Sequence, residues 1–259
     1  MLVAGLDIGS ITTEALLFDE EKGLVAYSIL HTGADSGHAS QLAFDKVLVD
    51  AGKDRSDAAC VVATGCGRRR AAFALDTVTE ITCLAKGVNY LFPGARTIID
   101  IGGQDTKAIK IDARGRVVEF EMNDKCAAGT GRFLEVMASA LKIDLERMGE
   151  LSLGHGKHLT ISSICTVFAE SEVISLVSEG EKLPDILHGI NMAIADRTMG
   201  LVNRLGSLEE EVVMAGGVAK NTGVVAALRE SMGVGLKVPA EPQVVGALGA
   251  ALIALERVR

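Results

Sequence analysis

The chain opens on an apolar run, LVAGL, that stops at Asp7; a turn, Gly9-Ser10-Ile11, leads into a second apolar run, ALLF. The same order recurs downstream as TIID, Gly102-Gly103-Gln104 and TKAIKI. Short apolar runs on either side of a glycine turn predict strand, turn, strand in both places. Elsewhere the spacing changes. Residues 38–51 carry apolar positions at helical intervals, and 58–63 (AACVVA) read as a buried strand ending at Thr64-Gly65. Helices are predicted over 79–89, 131–141, 167–179, 184–205 and 222–231. Residues 211–215 (EVVMA) read as a strand running into Gly216-Gly217, and 243–257 as a small-residue helix able to pack closely on a neighbour. Strands alternating with helices give an α/β fold.

The recurrence is an internal repeat. Residues 7–19 (DIGSITTEALLFD) align without gaps on 100–112 (DIGGQDTKAIKID). Asp7/Asp100, Ile8/Ile101, Gly9/Gly102, Thr13/Thr106, Ala15/Ala108 and Asp19/Asp112 are identical, and Leu16/Ile109 and Phe18/Ile111 are close substitutions. Two related hairpins predict two similar subdomains facing each other across a cleft; unrelated hairpins sharing turn chemistry are the alternative. The expected division is residues 1–95 with 241–259, against 96–240. A P-loop or dinucleotide fold would set a helix directly after the glycines, and neither GxxxxGK[ST] nor GxGxxG occurs.

Composition removes several classes. There are 34 Asp and Glu against 26 Lys and Arg, a net charge of −8, with 3% aromatics and no Trp. Such a surface argues against nucleic acid, which needs basic patches and stacking rings. The longest uncharged apolar run, 244–255, is too short and too rich in Gly and Ala to span a bilayer, so no membrane partner is expected. MLVAGLDIGS has no basic n-region, so a secretory leader is not expected. Five cysteines, an odd number, fit a cytoplasmic protein better than a disulfide framework.

The glycine turns suggest a nucleotide site. Backbone N–H groups around Gly9-Ser10-Ile11 and Gly102-Gly103-Gln104 form concavities suited to anions, and glycine lets the chain approach a phosphate. Ser10, Thr12, Thr13 and Thr106 add hydroxyls. Asp7 and Asp100 end their strands at the cleft, where carboxylates would hold Mg²⁺ through water. Gln104 and Asp105 are candidates to orient an attacking water in phosphoryl transfer. Met214 to Val218 forms a third turn, whose paired Gly216 and Gly217 would admit a base or ribose.

Cys126 and Cys165 each precede a predicted helix, the second after the capping residues Ser162-Ser163. Helix N-termini favour thiolates and the anionic clusters they bind. A [4Fe–4S] cluster wants four thiolates, which a symmetric dimer would supply. From these contexts alone the plainer reading, two buried thiols acting as small hydrophobes, stays ahead. Cys60 and Cys83, within apolar runs, read as buried.

The three glycine turns look like the phosphate 1, phosphate 2 and adenosine motifs of the actin, heat-shock chaperone and sugar kinase superfamily. MNDKCAAGTGRFLE around Cys126 and SSICTVFAESEVISL around Cys165 go further, as do TEITCLAKG (79–87), IDIGGQDTKAI (99–109), AGGVAKNTGV (215–224) and PQVVGALGAAL (242–252). Together they resemble the ATP-dependent activators of 2-hydroxyacyl-CoA dehydratases and the related ATPase subunits of benzoyl-CoA reductase, from Gly5 to about Ala254. The resemblance reverses the reading of Cys126 and Cys165. It implies two ribonuclease-H-like subdomains of the actin-like, sugar kinase ATPase type, and a homodimer holding one [4Fe–4S] cluster on Cys126 and Cys165 of both copies. It further implies an ATP/ADP site with Mg²⁺ in each copy, to which Lys220, Asn221 and Gln243 are added through the last two motifs. A reduced ferredoxin or flavodoxin would be the donor in this anaerobic chemistry. ATP hydrolysis would drive one low-potential electron to an iron–sulfur dehydratase, with an aryl-CoA reductase or a double-cubane-cluster protein as alternative acceptor. A small-molecule kinase of the same superfamily is the remaining alternative. The chain departs from the family pattern at Ile11, at Glu14 where Lys is frequent, at Leu84 where His is found, and at Cys66 in TGCGR, where Tyr is usual. Cys66, beside Arg68, Arg69 and Arg70, reads as a surface or packing residue with redox sensitivity as the alternative. The basic run is a solvated face or a docking patch for an acidic donor.

Overall fold

The computed structural model describes residues 1–259 apart from Ser163, Ile164, Ser207 and Glu210. It divides into two compact units: Met1–Ala95 with Ile111–Val118 and Pro239–Arg259, and Arg96–Lys110 with Glu119–Val238. Among the described residues no helix is long and apolar enough to cross a membrane.

In the first unit, strands β1 (Leu2–Ile8), β2 (Thr12–Asp19), β3 (Gly23–His31), β4 (Val61–Thr64) and β5 (Asp76–Thr77) form one sheet in the order β3-β2-β1-β4-β5. β1 runs antiparallel to β2 and parallel to β4. The pleat sends alternate side chains to opposite faces. Leu6, Ile8, Ala15 and Leu17 meet Phe44, Val47 and Leu48 of helix α1 (Ser36–Asp50) on one side. Val3, Leu16, Phe18 and Val62 meet Cys83 of α2 (Glu80–Leu91) and the chain's last helix, Val245–Val258, on the other. α1 starts two residues earlier than its apolar spacing predicts, because the Asp35 carboxylate accepts from the amides of Gly37 (3.0 Å) and His38 (3.1 Å). The last helix lies close on the strand: a Cβ on Gly5 would fall 1.9 Å from the Ala247 carbonyl oxygen. That is the close packing expected of its small residues.

The second sheet, drawn from the second unit apart from Ile111, Val117 and Val118, repeats the plan. β6 (Thr97–Ile101), β7 (Thr106–Ile111), β8 (Val117–Asn123), β9 (Val212–Ala215) and β10 (Leu236–Lys237) lie in the order β10-β9-β6-β7-β8. β6 is antiparallel to β7 and parallel to β9. Each strand thus has its counterpart, β1 with β6 through β5 with β10. Helices α3 (Gly131–Leu141), α4 (Met148–Ser152), α5 (Thr166–Ser178), α6 (Leu183–Arg204) and α7 (Thr222–Met232) join the core of this unit. The last helix is therefore α8. Within one or two residues these helices match their predicted spans; α4, β5 and β10 are too short for periodicity to announce.

Candidate functional site

In the first unit, the turn between β1 and β2 is closed by Gly9 N donating to Thr12 O at 2.9 Å. A Cβ on Gly9 would lie 2.7 Å from that oxygen, so the turn requires glycine. Thr32 supports it from beneath, donating its hydroxyl to Gly9 O (2.8 Å) and its amide to Ile11 O (2.8 Å). Ser10 is exposed and Ile11 and Thr12 are half-buried at the turn. Thr13 is fully buried, its hydroxyl hydrogen-bonded with that of Thr32 at 2.9 Å.

The second unit builds the same turn from the same bond, Gly102 N to Asp105 O at 3.0 Å. Its other side is different. The carbonyls of Gly102 and Gly103 accept from the first two amides of α3, Gly131 N (2.9 Å) and Arg132 N (2.8 Å). Gln104 is exposed at the apex, while the buried Thr106 donates its hydroxyl to Gly129 O at 3.2 Å. Asp105 does not stand alone. Lys107, only 2% exposed, places Nζ 2.7 Å from Asp105 Oδ1 and 3.2 Å from Asp100 Oδ2. Burial pushes the Asp100 carboxyl above its ordinary pKa, and Lys107 offsets part of that rise. Lys107 was missed by sequence reasoning, although the repeat sets it opposite Glu14, the position where the charge inverts.

Strand register explains the inversion. Asp7 lies across from Glu14, which is buried, and Asp100 across from Lys107. One unit therefore pairs carboxylate with carboxylate and the other carboxylate with ammonium. The parallel neighbours extend the repeat: Asp7 pairs with Thr64 and Asp100 with Ala215, so Gly65 and Gly216 are counterparts. Both have positive φ, 85° and 84°, a region that favours glycine. A Cβ there would lie 2.5 Å from Asp7 Oδ1 or 2.9 Å from Asp100 Oδ1. The loop Thr64-Gly65-Cys66-Gly67-Arg68 is thus the first unit's version of the third glycine turn. Gly246, on the first turn of α8, completes the cradle; its Cβ would fall 2.0 Å from Asp7 Oδ2.

Beyond Gly216, residues Gly217–Lys220 make a single 3-10 turn, with Lys220 exposed. Asn221 caps α7 by accepting from Gly223 N (3.0 Å) and Val224 N (3.1 Å), and its Nδ2 is buried without a hydrogen-bond partner among the described residues. Gln243 is half-buried ahead of α8, its backbone N–H donating to the Glu241 carboxylate at 3.1 Å.

Cys126 and Cys165 are exposed, whereas Cys60 and Cys83 are buried. Desolvation pushes the Cys83 thiol up to about 12, which keeps it protonated and inert, and raises Cys60 as well. The Cys126 carbonyl accepts from Asn123 Nδ2 at 3.1 Å, four residues before the start of the loop's helix cap at Thr130. Cys165 occupies the N-cap position of α5, its carbonyl accepting from Ala169 N at 2.9 Å. Of the two serines expected to cap that helix, Ser163 lies outside the described residues. α3 packs on α5, so the helices that follow the two cysteines touch. α5 leaves Val167, Phe168, Ile174 and Val177 exposed. Cys66 is exposed, its thiol 3.6 Å from Ile8 O.

The model of the BadF/BadG/BcrA/BcrD ATPase family matches residues 4–254. Over 256 residues the chain is 48% identical to an activator of lactoyl-CoA dehydratase from Anaerotignum propionicum, covering 99% of this chain and 98% of that one. A solved activator of the 2-hydroxyisocaproyl-CoA dehydratase from Clostridium difficile, with bound ADPNP, superposes at a TM-score of 0.95 with 44% identity, covering 99% and 95% of the two chains. A ROK family glucokinase from Streptomyces griseus shares the fold alone, at a TM-score of 0.61 and 14% identity over 99% and 100% of the chains. The fold is that of actin-like and sugar kinase ATPases.

Proposed function

The chain belongs to the BadF/BadG/BcrA/BcrD ATPase family, and from that premise we propose that it hydrolyses ATP to pass one low-potential electron to a partner iron–sulfur enzyme of the 2-hydroxyacyl-CoA dehydratase class. The observation that carries the reading is the pair of hydrogen bonds from α3 to the carbonyls of Gly102 and Gly103. A turn built to hold phosphate is bonded to the helix that follows Cys126, and that helix packs on the one headed by Cys165.

The residues present fit the groups this function needs. The Gly9 and Gly102 turns offer backbone donors to phosphate, with Ser10 and Thr12 adding hydroxyls. Asp7, cradled by glycines and facing Glu14, is suited to hold Mg²⁺ through water, as is Asp100, whose charge Lys107 shares. Gln104, exposed at its turn, would orient the attacking water, with Asp105 fixed beside it by Lys107. Gly216 and Gly217 leave room for the nucleoside, followed in the chain by Lys220 and Asn221 of the same motif, and Gln243 is proposed to bind nucleotide through its own motif. Exposed Cys126 and Cys165 supply two thiolates, half the set for a [4Fe–4S] cluster, and a second copy would supply the rest. Bound there, the cluster would be the one-electron carrier. Val167 and Phe168, large and exposed two and three residues after Cys165, suit a surface that the second copy covers.

The chain's own part is mechanical. Loss of the terminal phosphate removes an anion from the Gly102–Gly103 turn, and the bonds to Gly131 and Arg132 pass the displacement to α3 and α5. Ferredoxin or flavodoxin is the proposed donor. Five cysteines without a disulfide among the described residues suit a reducing cytosol.

Anaerobic purification tests the assignment. The protein is expected to be a brown, oxygen-sensitive dimer, and Cys126→Ala or Cys165→Ala should abolish the colour while ATP binding persists. Colour surviving the Cys126 change would overturn the ligand assignment.

A further inference from the structure

Three imidazoles meet in the second unit, apart from every residue assigned above. His155 and His158 lie on the loop after α4, and His188 lies on α6. One ring nitrogen of each lies within 4.8 Å of the others. His188 Nε2 and His158 Nδ1 are 3.0 Å apart, and the His155 ring stacks on His188 with centroids 3.7 Å apart. Nitrogen ligands of tetrahedral zinc, each about 2.0–2.1 Å from the ion, stand roughly 3.3 Å from one another. The His158–His188 pair is close to one edge of that tetrahedron; His155, whose ring lies 9° from parallel with that of His188, must turn out of the stack to aim its nitrogen at the same point.

Two contacts prepare the cluster for a cation. His155 Nδ1 lies 3.0 Å from the Ser152 carbonyl oxygen. A carbonyl only accepts, so Nδ1 carries the proton and Nε2 the lone pair, the arrangement by which a backbone carbonyl orients a metal-binding imidazole. Asp185, one turn ahead of His188 on α6, accepts through Oδ1 from Gly156 N (2.6 Å) and Lys157 N (3.0 Å). Lys157 Nζ pairs in turn with Glu181 at 2.8 Å. The loop bearing His155 and His158 is therefore already fastened to the helix bearing His188, which lowers the entropy lost when a ligand gathers all three.

We propose that His155, His158 and His188 bind one zinc ion, with water in the fourth position beside the exposed His158. The ion would clamp residues 155–158 to α6, a structural role separate from ATP hydrolysis and from the thiols.

The test uses the full-length protein, stripped with chelator and dialysed against micromolar Zn²⁺, with zinc counted by elemental analysis. About one zinc per chain is expected, with a rise in Tm of about 5–10 °C at a hundredfold excess over Kd. His158→Ala, at an exposed position that leaves the zinc-free Tm unchanged, should weaken zinc binding at least tenfold, and so should His155→Ala. Cobalt in place of zinc should give visible bands without sulfur-to-cobalt charge transfer in the near ultraviolet. The Cys126→Ser, Cys165→Ser double variant should bind zinc as the native chain does, so the result is independent of the iron–sulfur reading. Absence of zinc binding, binding undiminished in both histidine variants, or sulfur charge transfer would overturn the site.

Discussion

The amide of Gly131 donates to the carbonyl of Gly102 at 2.9 Å, so the first residue of α3 is held by the turn that the repeat marks for phosphate. A helix N-terminus normally offers its free amides to an anion; here two of them are committed to the turn itself, and movement of the turn must move the helix.

That bond gives the first prediction. A Cβ on Gly131 would sit 3.3 Å from both Gly102 O and Gly103 Cα, close enough to loosen the junction without emptying the turn. Gly131→Ala is expected to leave ATP turnover within about threefold while electrons delivered per ATP fall about tenfold, the scale of coupling carried by single residues. Parallel assays of phosphate release and partner reduction check this; equal losses in both would remove the junction from the relay.

Lys107 yields the second. Its one ammonium is shared by two carboxylates at a site where all three groups are largely withdrawn from water, so removing it strands charge. Lys107→Met is expected to cost about 3–5 kcal/mol by urea unfolding at neutral pH. Asp100 has a raised folded-state pKa, and the loss of Lys107 raises it further. Ionised Asp100 therefore destabilises the variant above its folded pKa, and the penalty eases as pH falls through that value. The deficit should be smaller at pH 5 than at pH 7.5.

A third concerns the face of α5. Phe168 is 68% exposed, so replacing it costs the isolated fold little. Phe168→Asp is expected to weaken self-association at least tenfold in sedimentation experiments, with cluster content falling in step. An unchanged dimer would move the interface off this helix.

The fourth is a pH effect in zinc-free protein. Burial, with His155 and His158, holds the His188 pKa below its ordinary value, against opposing pulls from Glu230 and Asp185. Between the lowered pKa and about 6.5 the unfolded chain binds more protons, so stability rises with pH and is lost on acidification through that window. Asp185 and Asp112, with lowered pKa values, lose their contributions only below about pH 4. Tm should therefore fall between pH 7 and 5, and His188→Gln should flatten that fall, as scanning calorimetry would show.

Much of the fold was legible because its signals are local. The two DIG turns each need glycine where a Cβ would strike an oxygen of the residue three positions on, and that demand left matching residues at 9 and 102. The helices were legible because apolar spacing repeats within one or two turns, whereas the Asp35 cap that starts α1 two residues earlier was not read from that spacing. Strands of two residues, β5 and β10, carry no period to read.

What the chain determined by itself was the α/β alternation, the duplicated turn and the cysteine contexts, all set by interactions a few residues long. Only the tertiary structure decided that Gly65 answers to Gly216, that Lys107 points inward to two aspartates rather than out from an alternating strand, and that His188 meets His155 and His158 about thirty residues away. Those pairings depend on sheet register and helix packing, where partners distant in the chain must come within a few ångströms, and no local spacing encodes them.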